Sequence, residues 1–122
     1  MVNFKRLLSS FKFAAKGIIY ALKNEQNFRI FIVAGVIVVF LMFVFDLDLW
    51  KKIGLIALIC SLLVLELINT IFEKIIDILR PRIYSYVEVI KDMMAAAVLI
   101  ASIGAAIIGT MIFYPYILAL FK

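Results

Sequence analysis

The sequence holds no histidine, one cysteine and only two prolines in 122 residues. Without an imidazole, His-based zinc sites and His-based acid/base catalysis are excluded, so proton chemistry near neutral pH falls to carboxylates or lysines. The single thiol, Cys60, excludes an intramolecular disulfide. Lying inside an apolar run, it reads as a small packing residue. The glycines (17, 35, 54, 104 and 109) form neither G-x-G-x-x-G nor G-x-x-x-x-G-K-[ST], so no phosphate loop is present. Charged residues are scarce at 17%, whereas 67% of the chain is hydrophobic. A soluble domain of this length cannot bury that much apolar surface. These absences leave an all-α integral membrane protein as the reading.

One domain is expected over residues 1–122: an N-terminal interfacial helix and three spans. Over 4–23, Phe4, Leu7, Leu8, Phe11, Ala15, Ile18, Ile19 and Leu22 share one helical face, opposite Lys5, Ser9, Lys12, Lys16 and Lys23. Such an amphipathic helix lies in the membrane interface. The lysines interrupt any leader-like apolar core and no A-x-A site follows, which argues against a cleaved signal peptide. Hydropathy then places spans at about 28–47, 50–79 and 89–120, the second stopped by Pro81. Residues 1–29 carry six Lys/Arg against one acidic residue, and basic residues gather again at 74–91. By the positive-inside rule the N-terminus and the 78–91 loop are cytoplasmic and the C-terminus lies outside. The basic bias suits anionic lipid headgroups, and nucleic acid is not expected as a partner. Ala97, Ala101, Ala105 and Gly109 recur every four residues, a ridge that suits close helix packing and, in so thin a bundle, association between copies.

The second span is interrupted by polar groups. After thirteen uncharged residues come Glu66, Asn69, Glu73 and Asp77. At about 100° per residue all four fall on one stripe. A carboxylate at bilayer depth costs roughly 2.5–3.5 kcal/mol, so it usually meets a partner or a cavity. Glu66 lies about 21 Å from the outer interface and Glu73 about 10 Å further on. The deeper acid is therefore placed to touch a lipid head group and the shallower one to hold a cation in contact with water. Glu25 and Arg29 sit at the mouth of the first span, Lys91 and Asp92 at the mouth of the third. Glu25, Glu73 and Asp92 offer hard oxygens of the kind that hold Mg²⁺ together with substrate phosphates. Arg6 and Lys91 offer positive charge for those phosphates. Phosphate chemistry on a lipid at the inner leaflet is what these residue types and depths propose. The plainer readings are a Glu66 bonded to Asn69 or to another helix, an Asp77 paired with Lys74 or Arg80, a helix-start role for Lys91 and Asp92, and a topology anchor at Arg29.

The segments "NEQNFRI" (24–30), "ELINTIFE" (66–73), Asp77 and "KDMMAAAVLIAS" (91–102), with "FKFAAKG" (11–17) upstream, resemble the prokaryotic diacylglycerol kinase family, which includes undecaprenol kinases. The resemblance covers nearly the whole chain. It implies a homotrimer with active sites shared between neighbours, Mg-ATP as donor and a lipid alcohol as acceptor. Carried onto this sequence, Glu66 resembles the catalytic base and Asn69 the adjacent residue that orders the site, with Arg29 beside the substrate. Glu25 and Glu73 resemble the metal ligands under the ATP phosphates. Arg6, Lys91 and Asp92 resemble nucleotide-site residues. Departures fall at Ile71, Phe72, Met94, Ala96 and Tyr84, the last standing where a histidine is common. "NFRI" and "PRIYSYVEVIKD" resemble the branch that includes undecaprenol kinases, implying a polyprenol acceptor ahead of diacylglycerol. A different class of function, a proton-conducting or holin-like oligomer with Glu66 as its titrating group, is the alternative. A scaffold descended from the kinases is a third.

Overall fold

The computed structural model describes all residues, 1–122, and is entirely helical: α1 (Phe4–Asn24), α2 (Gln26–Val44), α3 (Leu49–Leu79) and α4 (Tyr84–Leu120). The last three are long and apolar enough to cross a membrane. With the 19 residues of α2 reaching about 28 Å, that helix just matches the ~30 Å hydrocarbon core. At 31 and 37 residues, α3 and α4 reach roughly 46 and 55 Å and must project beyond it. α2 begins two residues before, and ends three before, the span read from hydropathy, because the turn that follows it starts at Phe45.

Local chemistry sets each boundary. Asn3 caps α1, its side chain accepting from the Arg6 N–H at 3.3 Å, and Asp48 caps α3 by accepting from the Lys51 N–H at 3.0 Å. Between α1 and α2 the chain breaks at one residue, Glu25, whose backbone is extended. The α2–α3 turn closes with the Leu47 N–H donating to the Met42 carbonyl across Asp46, which adopts φ 51°. This is a Schellman-type ending, in which the left-handed residue is usually glycine. Its accompanying apolar contact is present, since Met42 and Leu47 are both buried in one cluster with Leu55 and Phe113. α3 stops at Leu79, with Arg80 as its cap, ahead of Pro81. α4 continues through Pro115, near its end.

Packing is sequential: α2 lies on α3, α3 on α4, and α1 folds back toward the others at its C-terminal end. Gly35 lets α2 approach α3 closely, since a Cβ there would sit 3.0 Å from Ile59 Cγ2. Ala105 and Gly109 line a space of about 280 Å³ between α2, α3 and α4. Two residues of the small-residue ridge are thus used within one chain, while Ala97 is exposed. Cys60, expected as a packing residue, is exposed instead, because it lies on a face of α3 that neither neighbouring helix covers.

Candidate active site

Glu66 is the most deeply buried acid, 2% exposed, on a helix whose neighbours are nearly all apolar. Its Oε2 has no hydrogen-bond partner. A buried polar atom left unpaired costs about 1–3 kcal/mol, which makes this oxygen a candidate acceptor for a donor from outside the chain. Thr70, one turn further on and 6% exposed, spends its hydroxyl on the Glu66 backbone carbonyl at 3.0 Å and leaves the carboxylate alone. Asn69, one turn on, is near enough to hydrogen-bond the Glu66 carboxylate, and Glu25 and Glu73 lie close enough for their charges to act on it. The break at Glu25 between α1 and α2 and the stripe along α3 therefore bring three acids to one end of the bundle, with Asn69 half-buried on the same stripe. No three acidic side chains converge tightly enough to enclose a metal by themselves. Glu25 and Glu73, both half-buried, are the carboxylates of this group that keep contact with solvent, and Mg²⁺ is commonly held by one or two carboxylates with its other oxygens from water or phosphate.

Arg29 has a part in the fold. Its Nη1 donates to the carbonyl oxygens of Leu22 and Lys23 at 2.9 and 3.0 Å, satisfying the open end of α1 and fixing the angle at which α1 leaves the bundle. Arg6 joins the helix start through its backbone N–H, and its side chain is exposed and makes no ion pair. Lys91 and Asp92 line a polar recess of about 470 Å³ with Tyr84, Ser85 and Glu88 at the start of α4. The Lys91 ammonium reaches Asp77 Oδ1 on α3 at 3.2 Å, and Arg80 approaches the same oxygen at 3.4 Å. Asp77 therefore pairs with Arg80 and Lys91, and not with Lys74.

Two features were missed in the sequence. An apolar cleft of about 570 Å³ separates α1 from α3, with Thr70 in its wall and Tyr20 and Lys74 on its lining. The Lys74 Nζ stands 5.4 Å from the centre of the Tyr20 ring. The available signal was Gly17 and Ala21 on α1, small residues one turn apart where a helix lying along another would need them. The second is Thr70, whose hydroxyl bonds the carbonyl four residues back, as a threonine inside a helix can.

Comparison with known proteins adds to this geometry. Residues 12–113 match the family described as prokaryotic diacylglycerol kinase. A diacylglycerol kinase of Synechocystis sp. is 35% identical over 115 residues, covering 93% of this chain and 66% of that protein. The undecaprenol kinase of Bacillus subtilis is 30% identical over 110 residues, 90% of this chain and 89% of its own length. A diacylglycerol kinase of Escherichia coli is 30% identical over 105 residues, 86% of each chain. With three apolar helices and a family match across most of its length, the chain is a multi-pass membrane protein that belongs to the prokaryotic diacylglycerol kinase family, the lipid kinases.

Proposed function

We propose that the protein transfers the γ-phosphoryl group of ATP to the hydroxyl of a membrane lipid alcohol, a polyprenol or a diacylglycerol, at the cytoplasmic interface of the bacterial inner membrane. The observation that carries this reading is the unpaired Glu66 Oε2, buried in an apolar helix with the Glu25 and Glu73 carboxylates within range of its charge. A lipid hydroxyl donating to that oxygen satisfies it. As the alcohol oxygen bonds to the γ-phosphorus and the bond to the ADP oxygen breaks, its proton passes to Glu66. Glu25 and Glu73 are the residues that would hold Mg²⁺, which supplies charge neutralisation for the triphosphate when bound. Arg6, Lys91 and Asp92 hold the nucleotide, and Asn69 and Arg29 stand on the acceptor side, Arg29 through the angle it gives α1. Phosphoryl transfer asks mainly for positioning and neutralisation, so this short set suffices.

The same reading takes α1 as an amphipathic interfacial helix, puts the N-terminus in the cytoplasm and the C-terminus outside, and makes the working unit a homotrimer. Its support is the exposed apolar surface of every helix and an acid that one chain leaves without a partner. Identities of 30% to both an undecaprenol kinase and a diacylglycerol kinase do not separate the two acceptors. Purified protein in nanodiscs, given Mg²⁺, γ-labelled ATP and each alcohol in turn, should label one lipid class. Absence of label on every alcohol, together with proton flux in liposomes, would replace this reading with that of a conducting oligomer.

A further inference from the structure

The Asp77 pair with Lys91 is the one ion pair that joins two helices, and it spans the short α3–α4 joint. That joint is tight. The Arg82 and Ile83 N–H groups both donate to the Leu79 carbonyl, at 2.9 and 3.2 Å, so the last turn of α3 and the first turns of α4 are held at close quarters. Lys91 projects from the third turn of α4 beside the polar recess it shares with Ser85, Glu88 and Asp92. Its ammonium sits on a four-carbon stem that by itself samples many positions. The Asp77 carboxylate, 3.2 Å away, draws it toward α3.

We infer that Asp77 is a positioning residue for the phosphate-binding cation: it holds the Lys91 ammonium at the α3 side of the recess, where a triphosphate meets it. An ammonium has three donors, and one given to Asp77 Oδ1 leaves two for phosphate oxygens. The carboxylate thus orients the cation without using it up. Asp77 also accepts from Arg80 Nη2, which keeps the anion turned toward the joint. The charged groups around the pair are Lys74 and Arg80 on α3 and Glu88 and Asp92 on α4. Lys74 and Arg80 are cations that can take over Asp77 should Lys91 be lost, and neither stands on the α4 wall of the recess.

This inference rests on the assignment of Lys91 to the nucleotide, and the test separates the two. The measurement is the KM for Mg-ATP and for the lipid alcohol, in nanodiscs, for five variants. Lys91→Ala should raise the KM for Mg-ATP by about tenfold or more, as expected for loss of a hydrogen bond to a charged group. Asp77→Asn should raise it by about three- to fivefold, as an exposed pair allows, leave the lipid KM unchanged, and add nothing in the Lys91→Ala background. Asp77→Glu should recover most of the loss. The exchange of Asp77→Lys with Lys91→Asp restores the pairing of the helices but moves the cation to α3, so thermal stability should return while the KM for Mg-ATP stays high. An unchanged KM in Lys91→Ala overturns the nucleotide assignment itself. A raised KM there with none in Asp77→Asn, or a normal KM in the exchanged pair, overturns the role of Asp77 and leaves that assignment standing.

Discussion

Replacing Glu66 by glutamine keeps the shape of the side chain and removes its capacity to accept a proton. The residue is 2% exposed and its Oε2 is unpaired, so little else in the chain depends on that atom. Loss of a positioned general base lowers turnover by roughly 10²- to 10⁴-fold. Stability should move differently. The unpaired oxygen already costs about 1–3 kcal/mol, and an amide in its place is no better satisfied, so Glu66→Gln should unfold within a few degrees of the parent. Glu66→Leu removes the unpaired group while keeping the volume, and should unfold at a higher temperature. Single-turnover transfer from γ-labelled ATP to the lipid, binding of an ATP analogue and thermal unfolding in the same detergent give the three readings. The expected pattern is lost transfer, retained nucleotide affinity and unchanged or raised stability. A glutamine variant within tenfold of the parent rate refutes Glu66 as the base. A leucine variant that unfolds early refutes the premise that Oε2 is unpaired.

The metal assignment predicts that Glu73→Ala weakens Mg-ATP binding in titrations while leaving the fold intact, because Glu73 is half-buried and makes no ion pair. Unchanged affinity would count against it. At the α2–α3 contact, Gly35→Ala forces a Cβ against Ile59 Cγ2 at 3.0 Å and should lower stability by about 1 kcal/mol. In an Ile59→Ala background the same change should cost close to nothing, a coupling that thermal unfolding of the four proteins would measure. Asp46, at φ 51°, should tolerate glycine without loss. Asp46→Ile should cost about 1–2 kcal/mol, since a β-branched residue is poorly suited to the left-handed region.

How much of this was legible beforehand depended on which force sets each feature. The spans were legible because hydropathy and length are the terms the bilayer reads. Pro81 marked the end of α3 for a steric reason that any proline would carry. Glu66 stood out because an acid after thirteen uncharged residues has few innocent explanations. The partners of the polar groups were not legible, because they depend on which helix lies beside which. In sequence the cations nearest Asp77 are Lys74 and Arg80, yet the α3–α4 joint brings Lys91 to it from fourteen residues away. Arg29 read as a site residue or a topology anchor, and capping of α1 required knowing that the chain folds back at Glu25. The small-residue ridge had the right period for close packing, but periodicity does not say against which helix, and Ala105 and Gly109 face their own bundle.

The placing of the polar contacts says what holds such a bundle together. In lipid, apolar side chains gain little by leaving one hydrocarbon environment for another, so helices associate through close packing and hydrogen bonds. The middle of this chain has little of either. A space lies between α2, α3 and α4, and beside it Gly35 of α2 meets Ile59 of α3 closely. The ends are different. At one, the Lys51 Nζ donates to the Tyr116 hydroxyl at 2.9 Å and stands 4.9 Å from the ring centre, beside the packed rings of Phe45 and Phe113. At the other, Lys91 reaches Asp77. The α3–α4 pair is thus tied by side-chain contacts at both ends, and the space between the helices lies beside Leu55, Leu58, Ile59 and Leu62. Fastening at both ends fixes the register of α3 against α4, and with it the level at which the Glu66 carboxylate sits between them.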